Sequence, residues 1–211
     1  MTTADPASAA DRALTHIRTA LLSGAYPPGT MLSESALAAE LAVSRTPVRT
    51  ALRLLQDEGL LTIYPKRGAL VRELSLDEVR EAAQARHALE TAGVQFAGEA
   101  ARRGLRDHLA PNLAEQERAL RDDDFPAFAR AAMAFHRAFA ALPANTVMLD
   151  LYDRLQGRQL LSILRSTPTI TDRPDTVLDE HRRLLDDAEA GAWTRFAERL
   201  HAHQEESHRL P

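Results

Sequence analysis

One short stretch of this 211-residue chain breaks a helical rhythm that otherwise runs through it. Leu60-Leu61-Thr62-Ile63-Tyr64 is apolar, β-branched and aromatic, Pro65-Lys66-Arg67-Gly68 is turn-like, and Ala69-Leu70-Val71-Arg72 can pair back. The pattern predicts a short β-hairpin with a basic tip, and no other stretch carries a convincing strand signal. A chain with one hairpin must build its core from helices. Composition agrees: there are 38 alanines, the strongest helix formers, with 45% hydrophobic and only 5% aromatic residues.

Helical spacing precedes the hairpin. Ala13, Leu14, Ile17, Leu21 and Leu22 mark an amphipathic first helix ending near Ser23-Gly24, and Tyr26-Pro27-Pro28-Gly29 is a rigid turn. Ser33 caps a short helix through Leu41, and Ala42-Val43 connects tightly to a second helix opened by Ser44-Arg45-Thr46-Pro47. Pro47 falls in the first turn, where backbone N–H groups lack helical partners. Val48, Ala51, Leu52 and Leu55 give that helix its buried face, and Gly59 ends it in a left-handed conformation. From Ser75 onward everything reads as helix. Ser75 and Glu78 form a capping box, and further helices are expected over about 106–121, 125–142, 145–165, 175–190 and 192–208. On the long helix that Ser75 opens, Val79, Ala83, Arg86, Glu90 and Ala97 trace one face, with Val79, Ala82, Leu89 and Phe96 nearby on the apolar side. The expected fold is mainly α: an N-terminal winged helix-turn-helix over 1–74 and a C-terminal antiparallel all-helical bundle over 75–211.

Charge supports two domains. The net charge is −4, but residues 1–75 carry eight Lys/Arg against seven Asp/Glu, and residues 76–211 eighteen against twenty-three. Leu41 to Arg72 holds six basic residues and two acidic ones. A basic patch in the first third predicts a polyanionic partner there. The absence of Cys excludes a disulfide framework, a zinc ribbon and a thiol nucleophile. No apolar run approaches the roughly 20 residues of a membrane helix, and no signal peptide is seen, so a cytoplasmic protein is expected.

The order short helix, tight turn, second helix, basic hairpin suits DNA. A helix N-terminus offers free N–H groups and partial positive charge to phosphate. Arg45, Thr46 and Arg49 project from the first two turns after Ser44, where an Arg can grip a guanine edge or a phosphate. Arg53, one turn later, can track the backbone. In the wing, Lys66 and Arg67 suit phosphate or the minor groove, and Gly68 permits close backbone approach.

Leu32-Ser33-Glu34-Ser35-Ala36-Leu37-Ala38, Leu41-Ala42-Val43-Ser44-Arg45-Thr46-Pro47-Val48-Arg49, Glu58-Gly59-Leu60 and Lys66-Arg67-Gly68-Ala69-Leu70-Val71 closely resemble the GntR family of bacterial repressors over roughly residues 10–73. The resemblance implies recognition-helix contacts at Arg45, Thr46 and Arg49 and a wing-tip contact at Gly68. Position 35, often Arg in the family, is Ser35, and position 50, often Glu, is Thr50.

Residues 76–209 resemble the ligand-binding FCD domain of the FadR-like subfamily, on Arg86 and Glu90, Phe135-His136 with Leu142 and Asn145, Glu180-His181, and His203. The resemblance implies a divalent metal, zinc or nickel, held by three His and one Asp. His136, His181 and His203 match; Ala132 stands where the Asp is expected. It also implies a small organic-acid effector, with Arg86, Glu90 and Arg158 as candidate contacts and Arg165 behind them. Arg86 needs an anionic partner if buried, either Glu90 at i+4 or the effector. His201, two residues from His203, reads as surface.

The reading that follows is a ligand-responsive, homodimeric transcription regulator, most often a repressor, whose two reading heads meet palindromic half-sites in operator DNA. A metal-dependent hydrolase or isomerase using the three His is the rival reading, and a regulator whose effector is the metal itself is a third. No general base at fixed spacing, phosphate loop or nucleophile motif supports an enzyme.

Overall fold

The computed structural model describes residues 8–207, without the side chains of Arg165 and Thr169, so Arg165 lies outside the described residues as a candidate contact. The chain separates into two compact units that meet between Glu73 and Leu74.

The first unit holds α1 (Ala9–Leu22), β1 (Met31–Leu32), α2 (Glu34–Glu40), α3 (Arg45–Asp57), β2 (Leu61–Tyr64) and β3 (Gly68–Val71). Ser8 and Asp11 form a capping box on α1, and Ser33 accepts the Ala36 N–H at the start of α2. Ala42, with φ 52°, turns the chain from α2 into α3. Ala13, Ile17 and Leu21 of α1 pack on Val48, Ala51, Leu52 and Leu55 of α3, all essentially without solvent exposure. Each fully buried Val, Leu or Ile among them favours the folded state by about 1.5–3 kcal/mol, so the α1–α3 contact anchors the unit.

Two details differ from expectation. Ser44 occupies the cap position of α3 with extended backbone angles, but its side chain makes no capping bond. The sheet has three strands rather than two, in the order β1-β3-β2, all antiparallel. Met31 pairs with Leu70 and Leu32 with Ala69, so the residues after the Pro27-Pro28 turn complete the sheet. A two-residue strand is too short to show alternation. At the wing tip the Arg67 N–H bonds the Tyr64 carbonyl at 3.0 Å, with Lys66 at φ 64°. Pro65 followed by a left-handed residue is the pattern of a type II turn.

The second unit is helical throughout its described residues: α4 (Leu76–Phe96), α5 (Glu99–Arg103), α6 (Leu105–Arg121), α7 (Phe125–Ala141), α8 (Thr146–Asp153), α9 (Gln156–Arg165), α10 (Thr167–Thr171), α11 (Pro174–Glu189) and α12 (Trp193–Ser207). The expected capping box of Ser75 and Glu78 opens α4. Five long helices form a closed ring of neighbours: α4 packs on α7, α7 on α6, α6 on α11, α11 on α12 and α12 back on α4. Phe135, Phe139, Leu184, Phe196 and Leu200 fill the centre. Short connections between α6 and α7 and between α11 and α12 make those pairs antiparallel neighbours.

The helix expected over 145–165 is two helices, broken at Arg154-Leu155, where the Leu155 N–H bonds back only three residues to Tyr152 at 2.9 Å. Phe96, expected on the apolar side of α4, is 64% exposed. The buried stripe of α4 runs through Val79, Ala82, Arg86, Glu90, Gly93 and Val94, so the expected face is buried at Val79, Arg86 and Glu90. Gly93 explains the close approach of α4 to α7, because a Cβ there would overlap the Phe139 carbonyl and crowd Ala140. That approach sets Glu90, one turn before Gly93, beside His136, one turn before Phe139 and Ala140.

Candidate DNA-reading groove and histidine centre

In the first unit, the start of α2, the exposed face of α3 and the wing enclose an open groove of about 440 Å³. Ser35, Arg45, Arg49, Arg53, Lys66, Arg67 and Gly68 line it together with Glu34. Ser44 and Thr46 are exposed at the mouth of α3 but outside the groove lining. Arg53, Lys66 and Arg67 have no ion-pair partner among the described residues, so they offer uncommitted positive charge. Gly68 has a structural duty as well: at φ 119° its Cα passes so close to the Leu32 carbonyl of β1 that any Cβ would clash.

Glu34 was not among the residues expected here. Its carboxylate meets Arg49 edge-on, with Nη2 to Oε2 at 2.7 Å and Nε to Oε1 at 3.1 Å, and accepts from Arg45 Nη2 at 3.2 Å. The hydrogen bond from Arg49 holds the Glu34 carboxyl below its ordinary range, so the triad is ionised at neutral pH. Charge arithmetic along the chain misses it because Glu34 precedes the basic stretch.

In the second unit every helix of the ring contributes to one buried cluster. His136 comes from α7, His181 from α11 and His203 from α12, and one ligand atom from each lies within 4.8 Å of the others. All three rings are under 10% exposed. His136 Nδ1 lies 2.8 Å from Glu90 Oε2 of α4, His181 Nδ1 2.6 Å from Gln116 Oε1 of α6, and His203 Nδ1 2.7 Å from Glu180 Oε2 of α11. Those partners are acceptor oxygens, so each Nδ1 carries a hydrogen, and a neutral ring then turns the lone pair of its Nε2 to the cavity. Burial pushes the imidazolium forms of His136 and His181 well down, helped at His136 by positive charge on Arg86 and then His203, and at His181 by His203, His136 and then Arg86. Three buried imidazoles with anchored Nδ1–H groups, two of them held neutral, fit a divalent metal chemically.

Arg86 and Glu90 meet as well. Arg86 Nε sits 2.8 Å from Glu90 Oε1, at an angle that does not make a hydrogen bond. Tyr152 donates to the same oxygen at 3.1 Å. Burial pushes the Glu90 carboxyl up to about 7, against the pull of Arg86. Glu90 is therefore held by Arg86, His136 and Tyr152 and does not line the cavity between the histidines, unlike its expected place as an effector contact. Arg86, Ala132, Ser166 and Gln204 do line it, and its volume is about 30 Å³. Gln204 is 4% exposed and its amide nitrogen has no hydrogen-bond partner among the described residues. Arg158 lies elsewhere, in a separate depression with Glu78, Glu81, Ala82, Ala85 and Leu155. His201 is exposed, as expected.

The sequence left out Gln116, Tyr152 and Glu180 as anchors. Gln116 was the findable one, since a polar residue on the stripe Leu105, Leu109, Gln116, Ala119 has to bond something inside.

Comparison with known proteins fits both units. Residues 9–71 match the family model for bacterial regulatory proteins of the gntR family, and residues 81–206 match the FCD domain. An HTH-type transcriptional regulator of Agrobacterium vitis, from the ttuE-ttuC' intergenic region, is 34% identical over 140 residues, 61% of this chain and 77% of its own. The gluconate operon transcriptional repressor of Bacillus licheniformis is 28% identical over 87% of this chain and 74% of its own. The crystal structure of a transcriptional regulator from Rhodococcus sp. RHA1 shares the fold, with a TM-score of 0.77, 24% identity and 96% of each chain covered. Among the described residues no helix is long and apolar enough to cross a membrane. Regulators of this kind are DNA-binding proteins rather than enzymes, so the hydrolase reading falls. With a gntR reading head and an FCD domain that together span most of its length, the chain belongs to the GntR family of bacterial transcription regulators.

Proposed function

We propose that this regulator reads operator half-sites as a homodimer through the groove of its first unit and takes its signal at the histidine centre of its second. The DNA contacts are assigned to Ser35, Ser44, Arg45, Thr46, Arg49, Arg53, Lys66, Arg67 and Gly68. The setting is the cytoplasm, and the regulatory sense is repression, as in the operon repressor that resembles it.

The convergence of three buried imidazoles, each with its Nδ1 engaged by an acceptor, carries the proposal for the second unit. His136, His181 and His203 would hold zinc or nickel, with Glu90, Gln116 and Glu180 fixing the rings. The ion supplies positive charge that attracts an anionic oxygen. Arg86 adds to that field from the cavity wall, and Ala132 leaves the anion to come from outside the chain. A small carboxylate answers that description.

The cavity size favours a second reading in which the ion alone is the effector. About 30 Å³ holds an ion and a water or so. An organic acid larger than that has to displace part of the lining, which includes Ile163 of α9, Ser166 between α9 and α10, and Ile170 of α10. The test is calorimetric titration of chelator-stripped full chain with zinc, then with acetate, lactate and citrate in the presence of zinc. One zinc per chain, lost in His181→Ala, is expected. Zinc-dependent uptake of an acid supports the carboxylate reading, and zinc uptake alone supports metal sensing. A wild-type chain that takes no zinc or nickel contradicts both.

A further inference from the structure

In the DNA-reading groove, the arginines at the start of α3 are not equally free. Arg49 presents its Nε–Nη2 edge to Glu34, with contacts of 2.7, 3.1 and 3.3 Å to the two carboxylate oxygens. That edge is one a guanidinium can use for side-on bidentate binding of phosphate. Arg45 touches the same carboxylate only through Nη2, at 3.2 Å, and its side chain is 63% exposed. Of five donors on a guanidinium, Arg45 keeps four unengaged.

Glu34 itself is anchored. It is the first residue of α2, next to the capping Ser33, where the helix N-terminus favours a carboxylate. Its side chain is 20% exposed and in contact with both arginines. A phosphate that takes the Arg49 edge has to displace Glu34 and leave that carboxylate beside the polyanion. A guanine that takes the free donors of Arg45 does not.

We infer that Glu34 is a specificity-determining positioning residue of the DNA interface: it occupies the edge of Arg49, so that Arg45 is left as the base reader and indiscriminate phosphate binding is penalised. The inference rests on the assignment of this groove to DNA. Glu34 acts through the arginines and makes no contact with a base in this account. Loss of its charge should therefore make binding stronger and less selective, whereas loss of a merely structural residue makes binding weaker.

The test uses the full chain, a pool of mixed-sequence 30-base-pair duplexes, and the duplex that wild type enriches most from that pool. Glu34→Gln should bind the mixed pool roughly three- to tenfold more tightly, with a salt slope steeper by about one unit, because Arg49 gains a phosphate. Its preference for the enriched duplex over the pool should fall by about tenfold, the discrimination of one bidentate base contact. Glu34→Asp, which keeps the charge, should bind the pool as wild type does. Arg45→Ala and Arg49→Ala are independent of any effect of Glu34 on folding. Arg45→Ala should erase the preference at one base position with little change of slope, and Arg49→Ala, which leaves the Glu34 carboxylate unpaired beside the polyanion, should weaken binding to both DNAs alike with the slope little changed and the preferred sequence kept. Glu34→Gln with wild-type binding to both DNAs, or with equal losses on both, overturns the inference while the groove assignment stands. So does an exchange of the two arginine phenotypes. Wild type that binds no duplex even at low salt overturns the groove assignment and the inference with it.

Discussion

The methyl group of Ala132 lines the histidine cavity one helical turn before His136, so a carboxylate at that position shares a helix face with a metal ligand. Ala132→Asp is therefore expected to tighten zinc binding by about tenfold or more, each tenfold adding about 1.4 kcal/mol of metal-dependent stability by mass action. Calorimetry and melting curves with and without zinc check it. A centre that holds no metal gives the opposite result, since the new carboxylate is unpaired in a site 5% exposed and lowers the melting temperature in both conditions. At this scale the sequence was readable only in part. The three histidines and Ala132 were found through resemblance to a family, since they lie far apart along the chain. Their anchors were not readable, because Glu90 meets His136 across 46 residues and Gln116 meets His181 across 65. Arg86 shows the same limit: helical spacing offered Glu90 as its partner, and only packing could place the pair beside a histidine.

Elements were more legible, because capping and period are local. The hairpin, the Ser33 and Ser75 caps and the left-handed Gly59 all follow from neighbouring residues. The misses have tertiary causes: β1 is two residues long and exists because β3 offers it an edge, and Phe96 falls off the stripe that Gly93 turns toward α7. Two predictions belong here. Gly93→Ala should cost about 1–3 kcal/mol, as overpacking of a tight helix crossing does, read as a lower urea midpoint of the full chain. A midpoint equal to wild type would mean that α4 and α7 have slack at that crossing. In the wing, Lys66→Gln with Arg67→Gln should weaken binding to all duplexes alike and make the salt slope shallower by roughly one to two units. Loss confined to one sequence, with the slope unchanged, would make the wing a reader of bases instead.

At the scale of the whole molecule, two compact units carry opposite duties. The first gathers cations in a groove, and the second encloses three imidazoles in a ring of five helices. The charge asymmetry of the sequence runs parallel to that division, with a basic patch in the first third and an acidic remainder. A regulator needs more than two sites: occupation of one has to change the affinity of the other, by a coupling that is commonly 5–150-fold. The most direct measurement is binding of a fluorescent duplex, selected by this protein from a random pool, to chelator-stripped full chain with and without zinc and the carboxylate panel. The account predicts that zinc, alone or with one of the acids, shifts the dissociation constant by fivefold or more, and that His181→Ala abolishes the shift while still binding the duplex. Superimposable isotherms for the stripped and loaded wild-type protein would contradict it.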